Sequence, residues 1–364
     1  MNKKYFIIPI FVPHLGCPHD CVFCNQRRIT GLSTDMTSEK ADNIIKDHLK
    51  TIPSLNRGLE IAFYGGSFTA ISPDMQRELL NIASYYKKEG IVDRIRLSTR
   101  PDYINERELL LLKEYGVDII ELGVQSLDEE VLFLSGRGHK SEDVYKASSL
   151  IKSYGFQLGL QMMIGLLGDT EEKSLYTAKE IVKLNPICTR IYPTLVVKDT
   201  FLEKMYLDGR YKPLSLEMAV DISTKLLMIF QYNKINVIRI GLQPTDNITL
   251  GKDVIAGPFH PAFRQLVESN IYKKILDEYF SEKDFKDIKE FVININPKEI
   301  SNLVGQGSIN TKFIRNKFNI SKIKIHGENI PKEIFYIKNH DFYDKINKDE
   351  IIEKYLLKED LINN

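Results

Sequence analysis

Apolar strand-like segments alternate with amphipathic helix-like segments along the first two thirds of the chain, at a spacing of about 30 residues. Seven candidate strands share this pattern, at residues 5–12, 59–64, 94–98, 117–122, 156–163, 187–192 and 236–240. Helical patterns lie between them, at 75–88, 106–115, 142–154, 171–184 and 216–232. Such alternation predicts parallel strands joined by right-handed crossovers, so we expect an α/β fold with a partial or full (β/α) parallel barrel.

The reactive groups of such barrels lie at the carboxyl ends of the strands. Three polar or glycine-rich segments fall at that end. They are the cysteine-rich residues 17–24 after the first strand, 65–67 after the second and 100–102 after the third. We therefore expect the functional site at this edge of the sheet.

Composition excludes several classes of protein. Apolar residues make up 43% of the chain and 50 Lys+Arg face 49 Asp+Glu, which excludes global disorder and does not favour a polyanion-coating protein. No apolar run approaches the ~18 residues of a membrane span. The apolar N-terminal segment contains Pro9 and Pro13 and lacks a small-x-small cleavage site, so we interpret it as the first strand of a cytoplasmic protein without membrane partners.

Three of the four cysteines are crowded into eight residues. These three are Cys17, Cys21 and Cys24. Such crowding in a chain without secretion signals argues against a disulfide framework, whereas three thiolates suit a cubane iron–sulfur cluster whose fourth iron stays open. A zinc site completed by His14 or His19 is the alternative. The distant Cys188 precedes an apolar strand and is expected to be a small core residue.

The spacing Cys-x3-Cys-x2-Cys, with Phe23 directly before the third cysteine, resembles the signature of the radical S-adenosylmethionine (SAM) superfamily. The resemblance implies a [4Fe-4S] cluster held by these cysteines, as metal-ligating and catalytic residues, with SAM chelated by the open iron. It also implies reductive cleavage of SAM to a 5′-deoxyadenosyl radical, which abstracts hydrogen from a substrate. The cofactors supply that chemistry, and the protein orients them and excludes water.

The same resemblance implies residues that contact SAM. Phe23 would lie near the adenine, and Gly65 with Gly66 would let the backbone approach the amino group because glycine has no Cβ. Arg137 would pair with the carboxylate through its planar guanidinium. Further candidate contacts lie at or near strand ends, where a buried polar group needs a partner. They are Ser67, Ser98, Gln125, Gln161 and Tyr192.

Four longer motifs narrow the resemblance. They are STRPD at 98–102, ELGVQSLDEEVL at 121–132, GRGH at 136–139 and RIYPTLVVKDTFLEKMYLDGRYKPL at 190–214. Over about residues 5–235 the chain resembles the radical SAM domain of the Elongator catalytic subunit. That family modifies wobble uridines of tRNA with an acetyl-CoA-derived group, so the resemblance implies RNA, and tRNA first, as substrate.

This chain departs from the Elongator pattern at three points. The gap between its first two cysteines is shorter than in that branch, and Ser98 stands where many members carry a glutamate. The residues after Ile240 show no acetyl-CoA signature. We therefore expect a separate acyltransferase as a partner for any acyl transfer, beside a reducing partner such as flavodoxin or ferredoxin.

The C-terminal region resembles the core of a KH RNA-binding domain, which grips the nucleic-acid backbone with a Gly-x-x-Gly loop between two helices. Its pattern predicts a strand at 291–295, helices at 297–304 and 309–318 around a loop at 305–308, and a strand at 322–325. Gly305 matches the first glycine and Ser308 replaces the last. Seven Lys/Arg face two acids between 300 and 340, and Lys312 and Arg315 are candidate phosphate contacts. The alternative is a small domain with a solvated basic face.

These patterns predict three regions: a radical SAM barrel at 1–240, a connector at 241–284 and a KH-like domain with a closing helix at 285–364. The connector is rich in Gly, Pro, His and Arg, and its His260 and Arg264 are candidate substrate contacts unless it is only a proline-braced linker. The predicted function is a radical SAM enzyme that acts on RNA. Two alternatives stay open: the same chemistry on a small molecule or protein, and a non-catalytic RNA-binding protein with a structural cluster.

Overall fold

A computed structural model of the protein describes residues 4–12, 21–25, 36–53, 57–242, 248–283 and 290–362. Contacts divide the chain into two compact units. The first comprises Met1–Leu214 and Leu242–Phe259, and the second comprises Ser215–Gly241 and His260–Asn364. The predicted barrel domain at 1–240, connector at 241–284 and C-terminal domain at 285–364 stay a prediction.

The first eight strands include all seven predicted ones. Their bounds are β1 Lys4–Val12, β2 Arg57–Gly65, β3 Arg94–Thr99, β4 Ile119–Gln125, β5 Gln157–Ile164, β6 Cys188–Pro193, β7 Val196–Val197 and β8 Asn236–Ile240. Seven of them form one sheet in the order β1-β2-β3-β4-β5-β6-β8. Every pairing from β1 to β6 is parallel. The predicted α/β fold with a partial-barrel parallel sheet is confirmed.

Strands of this sheet are buried on both faces, which explains why their sequences are nearly continuous apolar runs. In β2, for example, residues 58–63 are all buried. The core of the sheet is aliphatic and aromatic. It includes Ile8, Ile10, Ile61, Phe63, Ile95, Leu97, Ile120 and Leu122. Burial of this apolar surface is the main stabilising contribution to the first unit.

The described helices of the first unit begin at local signals in the sequence. They are α1 Ser38–Thr51, α2 Pro73–Lys88, α3 Glu106–Glu114, α4 Glu129–Leu134, α5 Ser141–Ser153, α6 Glu171–Lys183 and α7 Phe201–Leu207. All except α5 follow a Ser, Thr, Asn or Asp whose side chain accepts a hydrogen bond from the N–H three residues later. A further strand, β9 (Val254–Ala256), pairs antiparallel with β7. Through this pairing, residues 242–259 belong to the first unit.

The second unit contains a four-stranded sheet. Its strands are β10 Glu290–Ile295, β11 Lys322–Gly327, β12 Ile334–Lys338 and β13 Tyr343–Asn347, in the order β11-β10-β12-β13. The helices of the unit are α8 Leu216–Tyr232, α9 Phe263–Glu282, α10 Ile300–Val304, α11 Ile309–Lys317 and α12 Lys348–Lys358. From residue 290 to residue 327 the element order is the predicted one, whereas strands β12 and β13 were not predicted. The KH resemblance itself stays a prediction.

The loop between α10 and α11 contains three residues with positive φ. Gly305, Gly307 and Ser308 have φ values of 76°, 61° and 62°. At Gly305 a Cβ atom would lie 2.7 Å from Ile309 Cγ2 and 2.8 Å from Ser269 Oγ. Glycine at 305 is therefore required both by the backbone conformation and by the close approach of its neighbours.

Long helices of the protein are amphipathic or interrupted by charges. Among the described residues, no helix combines the length and the apolar character needed to cross a bilayer. This agrees with the absence of a long apolar run in the sequence.

Candidate functional site

The second half of the cysteine motif is held in place by backbone hydrogen bonds. Cys21 is buried and Cys24 is half-buried, and Cys24 N donates to Cys21 O at 2.9 Å. Val22 N donates to Ser135 O at 3.1 Å, and Leu202 N donates to Val22 O at 2.7 Å. The turn is thus attached to the residue after α4 and to the first turn of α7. Cys17, His14 and His19 lie outside the described residues.

Two buried guanidinium groups face the sulfur of Cys21. Arg137 Nη1 lies 3.4 Å and Arg100 Nη1 lies 3.9 Å from Cys21 Sγ. Arg100 also forms a bidentate pair with Asp102, with both N···O distances 2.9 Å, and donates to Arg137 O. Arg137 Nη2 donates to Gly123 O at 2.7 Å. Two cations at this depth stabilise negative charge on the sulfur and on any anionic group beside it.

Two polar atoms of this site lack a hydrogen-bond partner among the described residues. They are Arg137 Nε and Gln125 Oε1. Gln125 has φ 67°, rare for a residue with a side chain, and the register shifts between it and Gly123. Buried polar atoms are nearly always paired, so these two fit a site that a polar ligand completes.

Other predicted SAM contacts lie at the carboxyl ends of β2 and β3. Gly65 ends β2 with φ 102°, and Gly66 and the buried Ser67 follow it. The Ser98 hydroxyl donates to Phe63 O at 3.5 Å near the end of β3. Phe23 packs against a core cluster that includes Leu202. Their contacts with SAM stay predictions.

A buried ionic network occupies the same sheet. Its centre is Glu121 on β4, which pairs with Arg96 Nη1 at 2.8 Å and with Arg190 Nε at 2.6 Å. Arg96 Nη2 also lies 2.5 Å from Glu60 Oε2. Burial alone would raise the pKa of Glu121, but the charges and hydrogen bonds of Arg190 and Arg96 lower it to about 2. Glu121 is therefore a permanent anion between two cations.

Two predicted SAM contacts belong to this network. Gln161 Nε2 donates to Glu121 Oε2 at 3.0 Å, and Arg190 Nη1 donates to the Tyr192 hydroxyl at 3.4 Å. The neighbouring Gly159 leaves room for the network, because a Cβ there would lie 2.8 Å from Glu121 Cγ. Both side chains thus have protein partners, and their contact with SAM stays a prediction.

Sequence reasoning missed this network and the role of Arg100. A usable signal was present: charged residues interrupt otherwise apolar strands. These residues are Glu60, Arg96, Glu121 and Arg190. A buried charge requires a partner, so four such residues on strands of one sheet indicate mutual pairing. Arg100 lies within the STRPD motif, but no local pattern there indicates that it reaches a cysteine.

Two further groups near the site stay uncharged. Burial and the charges of Arg137 and Arg100 lower the pKa of His139 to about 3, so its imidazole is neutral. Burial and Glu121 raise the pKa of the Cys188 thiol to about 11. A thiol that keeps its proton is a poor metal ligand, which supports the interpretation of Cys188 as a core residue. Within the described ranges no three His, Cys, Asp or Glu side chains are grouped to hold a metal, and Cys17 lies outside those ranges.

The predicted substrate residues lie in the second unit. His260 Nδ1 accepts from Ala262 N at 3.1 Å, and Arg264 pairs with Glu268 at 2.8 Å. Lys312 Nζ donates to Gly307 O at 2.9 Å, and Arg315 Nε donates to Ile320 O at 3.4 Å. Their roles toward a substrate stay predictions.

Comparison with known proteins identifies the family. Residues 11–181 match the radical SAM superfamily, and residues 186–273 match the C-terminal domain that accompanies it. The chain is 32% identical over 226 residues to the uncharacterised protein MJ0486 of Methanocaldococcus jannaschii. This match covers 58% of this chain and 68% of that protein. It is 37% identical over 129 residues to the tRNA uridine(34) acetyltransferase of Methanocaldococcus infernus.

The match to the acetyltransferase covers 35% of this chain and 24% of that enzyme. A solved structure of the Methanocaldococcus infernus Elp3 with an N-terminal deletion has the same fold, with a TM-score of 0.58 and 23% identity. That match covers 75% of this chain and 64% of the other. The chain thus spans about a quarter of the acetyltransferase and less than two thirds of the Elp3 chain. The resemblance in the cysteine motif is confirmed: this chain belongs to the radical SAM superfamily.

Proposed function

We propose that this enzyme holds a [4Fe-4S] cluster on Cys17, Cys21 and Cys24 and uses SAM to modify RNA, with tRNA as the first candidate. The observation that carries the proposal is the Cys21–Cys24 turn beneath two buried guanidinium groups, at the carboxyl edge of a parallel sheet. When bound, the cluster and SAM together supply a 5′-deoxyadenosyl radical that abstracts hydrogen from the substrate.

The chain's own residues would position these groups. Arg137 reaches Cys21 Sγ with Nη1, and its Nε has no partner among the described residues, which suits a carboxylate of SAM. Gln125 presents an unpaired Oε1 in the same place, which suits an amino or hydroxyl group. Arg100 is fixed by Asp102 and holds its Nη1 atom 3.9 Å from Cys21 Sγ.

RNA is favoured as the substrate class by the chain's relatives. The acetyltransferase that it matches is named for uridine 34 of tRNA. The residues after Ile240 carry no acetyl-CoA signature. We therefore include a separate acyltransferase and a flavodoxin- or ferredoxin-like reductant among the proposed partners.

The decisive experiment measures 5′-deoxyadenosine under anaerobic conditions. The cluster is reconstituted, SAM and dithionite are added, and the nucleoside is quantified with and without bulk tRNA. We expect slow formation without tRNA and strong stimulation with it. If tRNA does not change the rate of 5′-deoxyadenosine formation, the result contradicts an RNA substrate and favours a small molecule or protein. If a protein with an intact cluster forms no 5′-deoxyadenosine, the result favours a structural cluster.

Replacement of Arg137 tests the predicted contact with SAM. Arg137→Lys keeps the charge but loses the planar fork, so SAM affinity should fall roughly 10- to 100-fold, as for the loss of a hydrogen bond to a charged group. The measurement is calorimetric titration of SAM into the cluster-loaded protein, with iron content determined in parallel. The exposed Arg210, paired with Asp208, provides a matched Arg→Lys control that should not change affinity. Unchanged affinity in Arg137→Lys at normal iron content would contradict the assignment.

A further inference from the structure

We propose that the solvent-facing side of the four-stranded sheet binds single-stranded RNA, stacking bases on a tyrosine pair between lysines. This inference rests on the proposed function, because it names how the RNA substrate is held. We call this surface the open sheet face. Its relevant residues are Lys322, Lys324, Tyr336, Lys338, Tyr343 and Lys345.

Strand periodicity defines this face. Side chains alternate between the two sides of a sheet. In β10 and β12 the buried residues are Phe291, Ile293, Ile295, Phe335 and Ile337. The intervening residues therefore point to the opposite side. In β11 and β13 the exposed residues at the same parity are Lys322, Lys324, His326, Tyr343 and Lys345.

A stacked pair of tyrosines lies on the β12–β13 ladder, with Tyr336 in its middle and Tyr343 at its end. The rings of Tyr336 and Tyr343 have centroids 5.0 Å apart and an interplanar angle of 26°. Tyr343 is 60% exposed, so much of its ring is open to solvent. Exposed aromatic rings on an open sheet are the surface on which RNA-binding modules stack unpaired bases.

Lysines flank the pair along the register of the sheet. Val292 aligns with Lys324 on one side and with Lys338 on the other, and Lys338 aligns with Tyr343. In the next row Tyr336 aligns with Lys345. Tyr343 lies on the edge strand, so both lysines of the first row lie on one side of it. With strands about 4.8 Å apart, Lys338 is the nearest neighbour and Lys324 lies two strands beyond it, and both ammonium groups are within reach of phosphates on that side of a base stacked at Tyr343.

The lysines of this face differ from others in the same unit. Several lysines elsewhere in the unit pair with acids within 4 Å; among them are Lys317, Lys332, Lys354 and Lys358, whose partners are Asp277, Glu299, Glu282 and Glu278. Within the described residues, Lys322, Lys324, Lys338 and Lys345 form no ion pair. The acids nearby are Glu290, which aligns with Lys322, and Glu328, which accepts from Asn294. Unpaired cations beside exposed aromatic rings are complementary to a polyanion with bases, rather than to an apolar partner.

This face is separate from the predicted site in the α10–α11 loop. There the ammonium of Lys312 is bound to Gly307 O, and Arg315 donates to Ile320 O. Both groups therefore have protein partners, whereas the open-face lysines have none among the described residues. The two surfaces predict different effects of mutation and can be distinguished.

The test measures binding of the full-length, cluster-loaded protein to a fluorescently labelled single-stranded oligouridylate by anisotropy, with bulk tRNA as competitor. Tyr336→Ala with Tyr343→Ala should weaken binding roughly tenfold or more, and the matching Phe variants should bind like the wild type because stacking needs the ring alone. Lys324→Glu with Lys338→Glu should reduce the slope of log K against log salt by about 0.7 for each phosphate that the protein no longer neutralises. Thermal unfolding confirms that each variant is folded.

Matched controls lie in the first unit. Tyr85 on α2 is 59% exposed, and Lys46 and Lys50 are exposed on α1, so Tyr85→Ala and the Lys46/Lys50 charge reversal should leave binding unchanged. The inference would be overturned if the Tyr→Ala and the Lys→Glu variants of the open sheet face both bound the oligouridylate as tightly as the wild type. The clearest form of that result would be a loss of binding in Lys312→Glu with Arg315→Glu instead. In that case RNA would still stimulate 5′-deoxyadenosine formation and the proposed function would stand. A wild-type protein that neither binds RNA nor responds to it would overturn both.

Discussion

Replacing Cys24 with alanine is expected to abolish cluster binding and, with it, all SAM-dependent formation of 5′-deoxyadenosine. A cubane held by three thiolates has no spare ligand in this chain, since the remaining cysteine lies on β6 and its pKa is raised to about 11. The loss should appear as iron and sulfide content near zero after reconstitution. Affinity for RNA should survive, because the open sheet face belongs to the second unit.

Cys188→Ala is the matched control for this prediction. It also removes one thiol, but from a site packed against Gly159 and the buried carboxylate of Glu121. We expect normal iron content and normal 5′-deoxyadenosine formation. A cluster that assembles fully in Cys24→Ala, or one that fails in Cys188→Ala while the protein stays folded, would contradict the ligand assignment.

Glu121→Gln is expected to destabilise the protein by about 3–5 kcal/mol, the usual consequence of removing one partner of a buried ion pair. The substitution preserves side-chain volume, so the effect isolates the charge. It leaves Arg96 and Arg190 buried with only Glu60 as a carboxylate partner in the network. Denaturant unfolding of the protein without cofactors should show a lower midpoint at an unchanged slope.

A surface pair provides the control for that measurement. Glu142 on α5 pairs with Lys146 at 2.6 Å, and both side chains are exposed, so Glu142→Gln should change the free energy of unfolding by less than about 1 kcal/mol. If Glu121→Gln and Glu142→Gln have the same free energy of unfolding, the charge of Glu121 does not stabilise the fold as expected.

The pH dependence of stability supplies a second readout. The pKa of Glu121 is lowered from 4.5 to about 2 in the folded protein, so its carboxylate stabilises the fold above pH ~4.5. This contribution is lost progressively as the pH falls from about 5 towards 2. Glu121→Gln removes the titrating group, so its stability should fall less steeply with acid over that range.

Local sequence patterns were sufficient to predict the sheet and the family. Parallel strands such as β2 are buried on both faces, and helices such as α6 begin at a capping residue, here Thr170. These signals depend on neighbours within one or two turns, so they can be identified without a structure. The cysteine motif is equally local, since its three thiolates come from one loop.

Local sequence signals do not indicate how the chain divides into its two compact units. Residues 242–259 join the first unit because β9 pairs with β7, about 60 residues earlier. A strand of three residues has almost no periodicity of its own. The predicted boundaries at 240 and 284 rest on composition and element order and stay a prediction.

What the sequence determined by itself was the chemistry of ligands and the succession of elements, because both are encoded by residues close together in the chain. The surroundings of Cys21 and Glu121, in contrast, depend on contacts between distant parts of the chain. Arg100 and Arg137 reach Cys21 across 79 and 116 residues, and Arg190 reaches Glu121 across 69. A buried charge must find a partner wherever the fold provides one, and no local pattern specifies which distant residue that will be.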